Sequence, residues 1–141
     1  QLNTTGAVLS PFDSYLVMRG LKTLSLRMER ATKNAQKIVT FLKKLPSVKE
    51  VLYSGLGGMI SLKVTDKTKI PAILNHLGVF TFAESLGGVE SLITYPTAQT
   101  HHDIPLEIRE SYGLTDDLLR LSIGIEDVRD LIEDLKEALE N

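Results

Sequence analysis

The chain has 141 residues, 43% hydrophobic and 24% charged, with a formal net charge of -2 and no cysteine. This is the composition of one globular domain with room for a core; the charge recommends neither a nucleic-acid nor an anionic-membrane surface, and the missing thiols exclude disulfides, zinc–thiolate sites and cysteine nucleophiles. No apolar run approaches the roughly 20 residues of a membrane span and no signal peptide is visible, so the expected setting is cytoplasmic. The chain opens on Gln1 without an initiator methionine, and a fragment of a longer polypeptide is expected.

Ser10, Pro11 and Asp13 mark a helix start: a cap, a proline in the first turn, and an acid three residues after the cap. This helix carries Phe12, Tyr15, Leu16 and Met18, and Gly20 is expected to end or bend it. A second helical run is predicted from near Leu21 to Leu45, with Leu24, Met28, Ala31, Ala35, Ile38 and Leu42 at three- and four-residue steps and Pro46 as its stop. Its length suits a spine lying on a sheet. Val48, Val51 and Tyr53 suggest a short strand, and Met59 to Val64 alternates as a second, antiparallel one. The glycines of Ser54–Gly58 run into a strand and not into a helix amino end, which argues against a phosphate cradle. Asp66 or Thr68 caps a short helix that Gly78 terminates. Val79 to Ala83 and Leu92 to Tyr95 read as strands on either side of a polar, glycine-bearing segment; a brief helix from Leu106 to Tyr112 ends at Gly113.

The last strand and helix carry the one odd residue. Leu119, Leu121, Ile123 and Ile125 alternate with Arg120, Ser122, Gly124 and Glu126, and Asp127 then caps an amphipathic helix. A guanidinium cannot shed its charge, so an arginine in a core strand needs an anion. Sequence leaves two partners open: a carboxylate of the protein or a carboxylate of a ligand. The predicted class is α/β in the two-layer α+β sense: a small, mostly antiparallel sheet with helices on one face and a long N-terminal helix. Adjacent His101 and His102 lack the spacing of a metal site, Ser85 lacks a nucleophile elbow, and Glu84 and Glu90 read as surface carboxylates.

Several segments in order give the chain a further signature: Asn3 to Gly6, Arg19-Gly20-Leu21-Lys22-Thr23-Leu24, Ala83 to Leu92, Tyr95-Pro96 with Gln99-Thr100-His101, and Leu118 to Asp127. Together they resemble the carboxy-terminal domain of the transsulfuration family, the pyridoxal-phosphate enzymes of cysteine and methionine metabolism. The resemblance covers essentially the whole chain. It implies a connection from a cofactor domain over residues 1–22 and a small C-terminal domain over 23–141, within the fold of the family. It also implies that Arg120 grips the α-carboxylate of a small amino-acid substrate. Ser85 and the Leu86 amide would stand beside it, Glu84 would face the substrate side chain, and Thr100 would line the pocket. Gln99 stands where the family has methionine, a departure that favours cystathionine β-lyase- or γ-synthase-like members. No lysine here has the family's Ser-x-Thr-Lys setting, so pyridoxal 5'-phosphate is expected in the full-length enzyme and not on this segment, which is expected to be inactive alone. The resemblance implies the cofactor domain as a partner and a homotetrameric parent, with no nucleic acid, membrane or metal. Two other readings of the residues are a stand-alone amino-acid-binding regulatory module and a structural dimerisation domain with Arg120 in an internal salt bridge.

Overall fold

The computed structural model describes residues 2–99 and 101–140, the side chains of Leu2 and Asn3 aside. Three helices open the chain: α1 (Leu2–Thr5), α2 (Pro11–Leu21) and α3 (Leu24–Leu42). They are followed by β1 (Val48–Leu52), β2 (Met59–Val64), α4 (Ile70–His76), β3 (Thr81–Phe82), β4 (Leu92–Thr94), α5 (Leu106–Ser111), β5 (Leu118–Ser122) and α6 (Val128–Glu140). The strands form one sheet in the order β1-β2-β5-β4-β3, antiparallel throughout except for the β3–β4 pair. The expected two-layer arrangement holds.

Period-two burial sets the layers. On β2, Ile60, Leu62 and Val64 are buried while Met59, Ser61 and Lys63 are only partly covered. On β5, Leu119 and Leu121 are wholly excluded from solvent, and Ile123 continues their row. These side chains meet Ile38 and Leu42 of α3, Ile70 and Ile73 of α4, and Leu131 and Leu135 of α6 in one apolar cluster. Each such side chain contributes about 2 kcal/mol by leaving water. Helices cover this face of the sheet, and Arg120 points from the other.

Several boundaries differ from the sequence reading, each for a local reason. The predicted run from Leu21 to Leu45 is shorter, because α2 passes through Gly20 to Leu21 and α3 starts only at Leu24. Burial along α3 begins at Ala31; Leu24 and Met28 remain exposed, so only its second half serves as the spine. No residue of α2 is buried, although Ser10 caps it as expected by accepting from the Asp13 amide at 3.1 Å. The strand expected over Val79–Ala83 is two residues long. Its upstream amides are taken by Asp134, a buried carboxylate of α6 that accepts from Gly78, Val79 and Phe80 at 2.7, 3.0 and 2.9 Å. Gly78 is therefore a ligand of that carboxylate and not the terminator of α4, which ends through Leu77 in extended geometry. The last strand stops at Ser122, and Ile125 turns outward.

Candidate functional site

Arg120 sits in the middle of β5, the central strand, with Ser61 of β2 and Thr94 of β4 directly opposite it on either side. It is partly exposed. Among the described residues its guanidinium donates no hydrogen bond and forms no ion pair, and Glu84 and Glu90 both lie exposed without pairing to it. The other partly covered cation of this face is differently placed: Lys63 pairs with Glu50 at 3.0 Å. Of the two partners that sequence left open for Arg120, no described carboxylate of the chain is the one.

The polar segment between β3 and β4 crosses this same face. Residue pairs across an antiparallel ladder share a side, so Thr94, Arg120 and Ser122 project together. Thr94 Oγ1 donates to the Ala83 carbonyl at 2.8 Å, and Ser122 Oγ accepts from the Gly87 amide at 2.9 Å. Glu84, Ser85 and Leu86 span the gap between these anchors, one beside Arg120 and one two residues beyond it. All three are exposed. The turn that brings the amide of Gly87 onto Ser122 needs φ +76° there, a conformation open to glycine at no steric cost.

The far end of the segment is held by the β5–α6 junction. The Glu126 carboxylate accepts from both the amide and the hydroxyl of Ser91, the latter at 2.9 Å, and Ser91 Oγ accepts from the Gly124 amide at 2.9 Å. Asn34 of α3 donates to the Gly124 and Glu126 carbonyls at 3.2 and 3.0 Å, which ties this junction to the spine helix. Asp127 caps α6 as expected, accepting from the Arg129 amide at 2.9 Å. The Arg129 guanidinium and amide, with Arg30 nearby, hold the Asp127 carboxyl well below the usual carboxylate range despite some desolvation.

A second irregular stretch follows β4. Gln99 Oε1 accepts from the Tyr95 amide at 2.9 Å, so the residue that departs from the family's methionine closes a turn at the edge of the site. Thr100, singled out by the sequence, lies outside the described residues. The His101 amide donates to the Pro96 carbonyl at 2.9 Å, and His102 lies exposed beside Asp103. An open cavity of about 290 Å³ adjoins the segment, with Met28 and Ala31 on one wall, Leu56 and Met59 on a second, and Leu86 with Ser122 on a third.

Of the residues expected at the site, Arg120, Glu84, Ser85 and Leu86 are brought to one region by the sheet and its anchors. Sequence reasoning missed the anchors themselves: Thr94, Ser91, Ser122, Glu126 and Asn34. Ser122 was visible as sharing the side of Arg120 by period two, but what it binds was not; Gly124 and Glu126 lie past the end of β5, where that alternation no longer applies. The cofactor implied by the resemblance does not fit the described residues. Pyridoxal phosphate needs a lysine for its Schiff base and donors for its phosphate. Lys63, the lysine of this face, is committed to Glu50, and the nearby amides of Gly87 and Ser91 are already donated to Ser122 and Glu126.

The family described as "Cys/Met metabolism PLP-dependent enzyme" matches residues 1–140. A cystathionine γ-synthase of Haemophilus influenzae is 55% identical over 139 residues, covering 99% of this chain and 38% of that protein. A cystathionine β-lyase of Lactococcus lactis is 49% identical over 154 residues, covering 98% of this chain and 40% of that protein. Among solved structures, cystathionine γ-lyase from Lactobacillus plantarum complexed with L-serine superposes with a TM-score of 0.88 at 39% identity, over 98% of this chain and 40% of that one. The chain thus spans about two-fifths of the length of the relatives it matches. With a matching sequence along nearly its whole length and a matching fold, the chain belongs to the pyridoxal-phosphate-dependent enzymes of cysteine and methionine metabolism.

Proposed function

We propose that this chain is the carboxy-terminal, substrate-binding domain of an enzyme that makes or cleaves a carbon–sulfur bond in cystathionine-, homocysteine- or cysteine-type amino acids. Residues 1–22 serve as the connection to a cofactor domain and 23–141 as the small domain. One observation carries the reading. Arg120 is partly exposed at the centre of the sheet, cannot lose its charge, and has no anionic partner among the described residues. A guanidinium presents two parallel donors that match a carboxylate, so the α-carboxylate of an amino acid satisfies it in one geometry. The L-serine bound by the γ-lyase relative carries the same group.

In this reading Arg120 fixes the substrate by its α-carboxylate, Ser85 and the Leu86 amide stand beside it, Glu84 faces the substrate side chain, and Thr100 lines the pocket. Held at one end, the substrate loses rotational freedom before reaction, and that orientation is this domain's contribution to rate. The cofactor, which supplies an electron sink for a carbanion, belongs to the remainder of the enzyme. The segment by itself therefore neither binds cofactor tightly nor turns over substrate.

The test is Arg120→Ala in the full-length enzyme. Loss of a bidentate charged contact should raise KM for the amino-acid substrate about 100-fold, and Arg120→Lys should recover part of it. An unchanged KM would overturn the assignment.

A further inference from the structure

Glu84, Ser85 and Leu86 have no apolar anchoring of their own, since all three lie exposed. Their placement over the Arg120 face rests on polar contacts at the two ends of the segment. At the near end the contacts are those of Thr94 and Ser122 with Ala83 and Gly87. At the far end the Glu126 carboxylate takes two donors from one residue, Ser91, which is wholly buried. Hydrogen bonds to a charged acceptor are the stronger kind, and two on one side chain fix direction as well as distance.

The approach of the segment is also limited from below. A Cβ built on Gly124 would stand 2.1 Å from the Val89 carbonyl oxygen and 2.7 Å from the Glu90 carbonyl carbon, both backbone atoms that cannot swing away. The Ile125 amide donates to that same Val89 carbonyl at 2.9 Å. The segment therefore rests directly on the backbone of the β5–α6 junction while Glu126 pulls Ser91 toward it. Strand β5 and the six residues after its arginine thus hold both the arginine and the clasp.

We propose that Glu126 is a positioning residue of the substrate site: through Ser91 it sets the height of the 84–91 segment over Arg120, with Ser122 as the second point of the clasp. The proposal rests on the assignment of the Arg120 face to substrate binding. Glu126 touches no substrate; it acts on the geometry of Ser85 and the Leu86 amide. A residue of this kind changes how well the substrate is held more than how fast the held substrate reacts.

The test compares Glu126→Ala, Glu126→Gln, Ser122→Ala and Arg120→Ala in the full-length enzyme, by KM, kcat and Tm. Glu126→Ala should raise KM for the amino-acid substrate about tenfold while kcat stays within about threefold, and Glu126→Gln, which keeps one acceptor for the Ser91 amide, should fall between it and the unaltered enzyme. Ser122→Ala should raise KM by a smaller factor in the same direction. If Arg120→Ala raises KM while Glu126→Ala, Glu126→Gln and Ser122→Ala leave it unchanged, the clasp is refuted and the site assignment stands. If Arg120→Ala leaves KM unchanged, the site assignment itself fails. Should Glu126→Ala not fold, Glu126→Gln and Ser122→Ala decide by the same criterion. Equal falls in kcat with no change in KM would also refute positioning of the bound substrate.

Discussion

The two sides of β5 are built by different means from alternate residues of one short strand. Leu119 and Leu121 are sealed under α3 and α6, where close packing of many apolar groups holds them. Arg120 and Ser122 face a side where single hydrogen bonds hold a glycine-bearing segment and the arginine itself has no protein partner among the described residues. The first side makes the sheet stable. The second can present unsatisfied chemistry because the first has already supplied the stability.

Substitutions on each side should separate these roles. The largest effect is expected from Leu121→Ala, which empties a fully buried site next to Ile60 and Ile93 across the ladder. It should cost about 3 kcal/mol in urea unfolding. Asp134→Ala, on the helix layer, strips acceptors from three amides at once and should cost about 2 kcal/mol, with Asp134→Asn recovering part. Loss of Tm by Asp134→Ala no larger than that of an exposed control such as Lys136→Ala would show that the three amides find other acceptors.

Acid sensitivity at the junction is a smaller effect. The Arg129 contacts lower the folded-state pKa of Asp127, so its unfolded state binds the proton more readily. The resulting stability is present above the unfolded value of about 4 and fades as pH falls through the lower folded value. Asp127→Asn, which retains a side-chain oxygen for the Arg129 amide, should flatten the fall of Tm below about pH 4 while lowering Tm at neutral pH by about 1–3 °C. A Tm–pH profile superposable on that of the unaltered chain would contradict this. Smallest of all, Arg120→Leu should move Tm by less than about 1 °C, since no described contact of the guanidinium is lost. A large fall would mean that Arg120 is structural after all and would erase the contrast between the two sides.

The first side was readable from sequence because burial and strand periodicity are the same signal. Ile60, Leu62 and Val64 and the alternation around Arg120 placed β2 and β5 and their faces, except that β5 ends at Ser122 and Ile125 does not join the apolar row. Boundaries governed by distant groups were not readable. A glycine after an apolar helical run reads as a terminator, but the Gly78 amide answers to Asp134, 56 residues away. Leu24 and Met28 continue the stripe of α3 in pattern, yet they stay exposed, because burial along this helix begins only at Ala31. At the site, residue types singled out Arg120 as an arginine in need of an anion, and the resemblance alone singled out Ser85, Leu86, Glu84 and Thr100. The anchors escaped because a serine or glutamate gives no sign in sequence of which amide it will accept.

The contact between Gly124 and the Val89 and Glu90 backbone has a consequence for how this site can change. Position 124 admits no side chain without lifting the segment, and Ser91 is enclosed, so the frame is closed to variation. Glu84, Ser85 and Leu86 carry no packing duty and can be exchanged at almost no cost in folding. On the proposed reading of the site, position 84, which faces the substrate side chain, is where substrate preference can change while the frame stays fixed. A graft of the segment from a relative should succeed only when its ends at Gly87 and Ser91 are left in place.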